Sequence, residues 1–215
     1  MTTSGRRAVG PAGSRAAGPS GHLIAFEGLD QSGKQTQAER LLAAFRSAGH
    51  QAEFLTFPEY TTVLGEEIAR ALKGERQYQP DTLQLIYIAN RFEFRARILE
   101  WLAAGTMVVC DRYLASSIAY GEAQGVDPKW LADIQQPLPQ PSLTLFMDMS
   151  PLVSLTRKRA DRDKFERDMP LLERVRDSYL RQSSAEGWAR IDAEQDKDGV
   201  SEAVLGAVRS RLSLL

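Results

Sequence analysis

Ten residues near the start of the chain could act as one chemical unit: Gly28-Leu29-Asp30-Gln31-Ser32-Gly33-Lys34-Gln35-Thr36-Gln37. Gly28 and Gly33 leave the backbone free to fold around an oxygen-rich anion, with no Cβ in the way. Lys34 offers a mobile point charge. Free N–H groups and a helix dipole would add positive potential if a helix begins here. Gly28, Gln31, Ser32, Gly33, Lys34, Gln35 and Thr36 are therefore candidate contacts for nucleotide phosphates. The usual loop of this kind places Ser or Thr directly after Gly-Lys, where its hydroxyl meets Mg²⁺. Here Gln35 takes that place and Thr36 comes one residue later. A plain strand-to-helix turn would carry glycines too, so the flanks decide. His22 to Glu27 is a short apolar run, expected as a buried strand. Ala38, Leu41, Leu42 and Phe45 follow at helical spacing.

Other reactive residue types gather at the ends of apolar runs. Thr106 to Asp111 reads as a buried strand ending in Asp111-Arg112-Tyr113. An aspartate there suits Mg²⁺ or its waters, and the arginine beside it suits a phosphate. Asp111 capping the next helix and pairing with Arg112 is the plainer alternative. Ala52 to Phe57 reads as another strand, with Phe57-Pro58-Glu59-Tyr60 at its carboxyl end, where parallel sheets bind ligands. A helix is expected from Thr61 to Lys73. Asp81 suits the N-cap of a long helix running to about Ala104. Leu83, Tyr87, Asn90, Arg91, Phe94 and Ile98 share one side of it. An arginine buried there is costly without a partner, so Arg91 is expected to face a polar cleft; the alternative is a solvated edge of the stripe. Ser116, Ser117 and Tyr120 face one way on the following helix. Arg157 to Asp168 is dense in charge. Such a run is either a solvated face or a lid that brings arginines over a transferring phosphoryl group.

These residues need a scaffold, and the remaining chain supplies one. Leu143 to Asp148 and Trp188 to Asp192 read as further strands. Ser150 and Pro151 open a helix; Leu171, Leu172, Val175, Tyr179 and Leu180 mark another, and Val200 to Leu212 a closing one. Strands and helices alternate. The expectation is an α/β fold, with a five-stranded, mostly parallel sheet and helices on both faces, in a single domain over 22–215. After Met1, residues 2–21 are Gly, Ser, Ala, Pro, Thr and Arg with one Val and no acids, so residues 1–21 are expected as a disordered tail.

The chain has 215 residues and a formal net charge of −1, so no global positive field recruits nucleic acid. No apolar run approaches a membrane span, and no membrane association is expected. The single cysteine, Cys110, excludes a disulfide framework and fits a reducing compartment, hence a cytoplasmic location.

In order along the chain, several motifs together resemble the thymidylate kinase family of P-loop nucleoside monophosphate kinases. They are Gly28-Leu29-Asp30 with Gly33-Lys34; Phe57-Pro58-Glu59; Ala89-Asn90-Arg91; Asp111-Arg112-Tyr113 with Ser117 and Ala119-Tyr120; Leu138-Pro139-Gln140-Pro141; and Asp163-Lys164-Phe165-Glu166. The resemblance implies a P-loop kinase fold with a mobile basic lid near 157–166. It implies phosphorylation of dTMP to dTDP by ATP with Mg²⁺, in a homodimer. By the same resemblance, Lys34 would bind ATP phosphates. Asp30 would touch the sugar of dTMP and, with Asp111, order the metal shell. Tyr87 would stack on thymine, and Arg91 would meet its O4. Arg112 would hold the acceptor phosphate, assisted by a lid arginine, Arg157 or Arg162. Tyr120, with Tyr113, would favour deoxyribose. Phe57, Tyr60, Ser117, Asp163 and Glu166 would complete the acceptor site.

The departures are Gln35, Tyr60 where many members carry arginine, Gly121 where glutamine is frequent, and Lys164 in the lid motif. Two other readings stay open: a nucleoside monophosphate kinase with a different acceptor, and a nucleotide-binding protein of reduced catalysis.

Overall fold

A computed structural model describes residues 21–157 and 168–215. The expected tail and the lid residues Arg162, Asp163 and Glu166 lie outside the described residues. Gly21, counted with the tail on composition, is anchored: its N–H donates to Leu102 O at 2.9 Å.

Five strands form one sheet: β1 (Leu23–Glu27), β2 (Ala52–Thr56), β3 (Met107–Asp111), β4 (Leu143–Asp148) and β5 (Trp188–Asp192). Their spatial order is β2-β3-β1-β4-β5, and every pairing is parallel. The expected "mostly parallel" sheet is thus wholly parallel. β1 pairs with β3 on one side and β4 on the other, so the topology reverses at β1, and the crevice for ligands opens beyond its carboxyl end. Phe26 lies in register with Asp111, and Glu27 with Phe146.

Alternate strand residues face two different cores. Ile24, Phe26, Met107, Val109, Leu145 and Met147 pack against α1 (Lys34–Ser47) and α9 (Lys197–Leu212). Leu23, Ala25, Val108 and Cys110 pack on the opposite face against α4 (Arg95–Ala103) and α5 (Leu114–Ala123). Phe146 packs with α5 and α8 (Met169–Gln182) on that same face. The remaining helices are α2 (Val63–Leu72), α3 (Pro80–Glu93), α6 (Pro128–Gln135) and α7 (Pro151–Arg157).

Three local expectations are corrected. The long helix from Asp81 to Ala104 is two helices, α3 and α4, meeting at Phe94. No Gly or Pro marks the break. Phe94 turns to meet Phe57 edge-on, with ring centroids 5.7 Å apart, so a tertiary contact ends the helix. Its N-cap is Gln79 with Pro80 next, rather than Asp81. Finally, Thr62, not Thr61, opens α2, where its hydroxyl accepts from Gly65 N.

Candidate active site

β1 delivers the chain to the glycine-rich turn. Gly28 has φ 139°, and a Cβ there would lie 2.6 Å from Met147 O, so only glycine passes between the strands. Gly33, at φ 83°, forms the N-cap of α1. Free N–H groups therefore begin at Lys34, as an anion cradle requires. Ser32 is 2% exposed, and its Oγ is buried with no hydrogen-bond partner among the described residues. Lys34 is 6% exposed, and its Nζ donates to Leu29 O at 2.7 Å. Burial, with the Arg112 charge nearby, pushes this ammonium below the usual lysine range; Asp111, Asp30 and Glu27 pull it back. An orphaned hydroxyl and a desolvated cation in one turn suit phosphate oxygens. Gln35 points elsewhere: it is exposed and donates to Glu39 Oε1 at 3.0 Å, so it does not stand in for the missing hydroxyl. Thr36 lies half-buried one residue on.

β3 ends beside this loop. Arg112 adopts φ 62°, a left-handed conformation unusual for arginine and often found at functional sites. Its N–H donates to Phe26 O at 2.9 Å, which fixes the turn. Its Nη2 donates to Asp30 Oδ1 at 2.6 Å, and its Nη1 to Gly28 O at 3.1 Å and Ser116 Oγ at 3.2 Å. The Tyr120 hydroxyl donates to Asp30 Oδ2 at 3.2 Å. Burial works to raise the Asp30 pKa, but the Arg112 and Lys34 charges and these hydrogen bonds prevail and hold it at about 2. Arg112 thus joins the phosphate loop to a neighbouring cavity.

That cavity, about 110 Å³, is built from four directions. Asp30 and Arg112 form its loop wall. Phe57, Pro58 and the half-exposed Tyr60 close it from the β2 end. Tyr87 and Arg91 enter from α3, and Ser116, Ser117 and Tyr120 from α5. Arg91 is 2% exposed. Its Nη1 donates to Ser117 Oγ at 2.8 Å and to Tyr87 O at 3.2 Å, while its Nε is buried and has no partner among the described residues. Burial pushes this guanidinium down, opposed first by Glu27. The expectation that Arg91 faces a polar cleft therefore holds. Tyr113 does not line this cavity: it is fully buried, 5.8 Å from the Phe57 ring.

Arg157 sits at the other end of the loop. It donates to Gln31 O at 3.3 Å and to Ala193 O at 3.0 Å, bridging the phosphate loop and the residue after β5. The structure brings together Asp30, Lys34, Phe57, Tyr60, Tyr87, Arg91, Asp111, Arg112, Ser117 and Tyr120 around the end of β1.

Two participants, Glu27 and Gln84, escaped the sequence reading, and a third, Asn90, was noted there without a role. Glu27 is fully buried at the end of β1. Its Oε1 accepts from Tyr113 N at 2.8 Å and Ser116 N at 3.3 Å; its Oε2 accepts from Ser116 Oγ at 2.6 Å and Tyr179 OH at 3.1 Å. It ties the first turn of α5 to β1 and α8. Asn90, also fully buried, clamps the Phe57-Pro58-Glu59 turn to α3: its Oδ1 accepts from Glu59 N at 2.8 Å and its Nδ2 donates to Glu59 O at 3.2 Å. Gln84 is 1% exposed and lines the cavity. The available signals were a charge ending the apolar β1 run and, for Asn90, a polar residue within an apolar helical stripe.

Mg²⁺ fits here with few protein donors. Asp111 Oδ1, beside Lys34, is buried with no hydrogen-bond partner among the described residues. Among the described residues no group of three His, Cys, Asp or Glu could hold a metal. Mg²⁺ ordinarily keeps several waters and needs only one or two carboxylates plus phosphates, so Asp111 with Asp30 nearby is an adequate set.

The family model described as thymidylate kinase matches residues 26–204. The chain is 34% identical to the thymidylate kinase of Schizosaccharomyces pombe over 161 residues, covering 75% of this chain and 76% of that one. It is 30% identical to the human thymidylate kinase, covering 86% and 88%. The solved structure of Candida albicans thymidylate kinase, a study of the origin of its broad substrate specificity, superposes with TM-score 0.75 at 25% identity, covering 89% of this chain and 92% of that chain. The chain belongs to the thymidylate kinase family.

Proposed function

We propose that this enzyme transfers the γ-phosphoryl group of ATP to the phosphate of dTMP, giving dTDP and ADP, with Mg²⁺ bound near Asp111 and Asp30. The observation that carries this reading is Arg112: one guanidinium touches Gly28 of the phosphate loop, and Asp30 and Ser116 of the cavity wall. A cation so placed can bear on donor and acceptor phosphates together. A phosphate oxygen of dTMP attacks the γ-phosphorus in line, and ADP leaves. Lys34 and the loop N–H groups hold the donor phosphates, and Arg112 neutralises charge between the two nucleotides. When bound, Mg²⁺ neutralises charge on the donor phosphates. Tyr87 and Phe57 give the base an aromatic surround, and Arg91 offers donors to a base carbonyl. Arg157 or Arg162 would complete the charge around the transferring group. Gln31 and Thr36 would assist at the phosphates, and Asp163 and Glu166 at the acceptor.

A coupled ADP-release assay with ATP, Mg²⁺ and dTMP tests this, with dUMP, dGMP and thymidine in parallel. Preference for dTMP is expected. Turnover with another acceptor would keep the kinase and discard the thymine site. Binding of ATP with no turnover would discard catalysis.

We further infer a homodimer. Leu85 and Phe92 lie two turns apart on α3, and Leu99 follows on α4; they are 44%, 37% and 42% exposed. Burial against a second copy of the chain would cover them. Light scattering should give twice the 23.9 kDa chain mass; a monomer at micromolar concentration would overturn this. No helix among the described residues is long and apolar enough to cross a membrane, and the buried free thiol of Cys110 supports a cytoplasmic site of action.

A further inference from the structure

Three side chains of α3 face the cavity: Gln84, Tyr87 and Arg91. Their spacing, i, i+3 and i+7, puts them on one face. Tyr87 and Arg91 have roles in the reading above, whereas Gln84 has none. It is 1% exposed, more buried than Arg91. Its side chain makes no hydrogen bond among the described residues, and it borders the cavity. With no partner among the described residues, this amide at the cavity wall is open to a ligand or water.

The room for this amide comes from α5. A Cβ at Gly121 would lie 3.2 Å from Gln84 Cγ, 3.7 Å from Gln84 Cδ and 2.4 Å from Leu131 Cδ1. Any larger residue at 121 would press on the place the Gln84 side chain now fills. Gly121 and Gln84 therefore form one arrangement: α5 gives up a side chain, and α3 delivers an amide.

We propose that Gln84 is a specificity-determining residue of the acceptor pocket, its amide hydrogen-bonding the polar edge of the nucleotide's base. The inference rests on the dTMP reading above and deepens it. Arg91 and Arg112 can only donate hydrogen bonds. The Asp30 carboxylate is engaged by Arg112 and Tyr120. The imide edge of thymine presents an N–H donor between two carbonyl acceptors. An amide carries a donor and an acceptor side by side and matches that edge. One turn of helix separates Gln84 from Tyr87, the aromatic surface on which the base would lie.

The test is steady-state kinetics on Gln84→Leu, which keeps approximate volume and removes both polar atoms. KM for dTMP should rise about five- to tenfold, the weight of one net hydrogen bond, with kcat within about twofold. KM for ATP should stay unchanged. With 3-methyl-dTMP, whose N3 cannot donate, the gap between wild type and variant should close. Gln84→Asn, which withdraws the amide by one methylene, should raise KM for dTMP as well, and it decides the matter if Gln84→Leu does not fold. A variant KM for dTMP within twofold of wild type would overturn the proposal. So would a parallel rise in KM for ATP, or an undiminished gap with 3-methyl-dTMP. Wild type inert toward dTMP would overturn the function itself; wild type active with an unaffected variant would overturn this inference alone.

Discussion

Glu27→Gln probes how the site is held. Glu27 accepts four hydrogen bonds, two on each carboxylate oxygen. Glutamine keeps one acceptor oxygen for Tyr113 N and Ser116 N and presents an NH₂ to Ser116 Oγ and Tyr179 OH. Charge-assisted bonds are worth about 1.5–3 kcal/mol net and neutral ones about 1, so two bonds weakened and two replaced cost roughly 3–5 kcal/mol. For a protein of this size that lowers Tm by about 6–20 °C. The damage should be directional. Ser116 Oγ also accepts from Arg112 Nη1, and Glu27 faces the buried Arg91 and Lys34 cations. Below the melting range, kcat/KM for dTMP should fall more than KM for ATP changes. Tyr179→Phe is the milder companion. It removes only the hydroxyl, which donates to the Glu27 carboxylate, and keeps the stacked contact with Phe146, at a cost of about 1.5–3 kcal/mol. Differential scanning fluorimetry and dTMP kinetics on both variants decide the point. A Glu27→Gln enzyme that melts within about 2 °C of wild type, with unchanged kinetics, refutes the reasoning.

Lys34→Ala removes a cation whose only hydrogen bond among the described residues is to a loop carbonyl, so it should keep its Tm and lose about 10²–10³-fold in kcat; full activity would remove the loop from the mechanism. Asp30→Asn removes the charge that holds Arg112; dTMP should bind as tightly or more tightly while kcat falls, and a raised KM with normal kcat would contradict the positioning role. Held at about 2, the Asp30 carboxyl contributes stability that is complete above its unfolded value near 3.9 and lost as pH falls toward 2. Between pH 5 and 8 the acidic limb of kcat/KM should therefore follow the second ionisation of the dTMP phosphate, near 6, and Asp30→Asn should leave it in place. Gly121→Ala should cost stability and weaken dTMP binding together, since its Cβ meets both Leu131 and Gln84; a neutral variant would show that the α3–α5 contact yields freely.

The phosphate loop was legible because its chemistry is local: ten consecutive residues carry the glycines, the lysine and the flanking patterns. The strands were legible for the same reason: β1, β3 and β4 are short apolar runs, and β2 and β5 are short segments in which apolar residues surround Glu53 and Arg190. What escaped depends on long-range contacts. Phe94 breaks the α3–α4 helix through a ring 37 residues earlier in the chain, at Phe57. Asn90 reads as an odd polar member of an apolar stripe until the Glu59 backbone arrives beside it. Gln84 gains meaning only once Gly121 on another helix leaves it space. Glu27 gave a partial signal, a charge closing an apolar strand, but its four donors come from α5, its preceding turn and α8.

The charges around the end of β1 divide into fixed and exchangeable ones. Among the described residues, Lys34, Arg91 and Arg112 face Glu27, Asp30 and Asp111. Each cation now leans on a protein acceptor: Lys34 on Leu29 O, Arg91 on Ser117 Oγ, Arg112 on Asp30. Those acceptors stand where phosphate or base oxygens could compete with them. Glu27 cannot yield, because four donors enclose it and no water reaches it. It therefore acts as the permanent counter-charge that lets mutually repelling cations share one dry crevice before any ligand arrives. Asp30 has about a third of its side chain exposed and can relax as Arg112 turns toward a phosphate. A site built this way pays for its positive potential in advance, with the buried carboxylate, and keeps the exposed carboxylate as the contact that gives way when the acceptor binds.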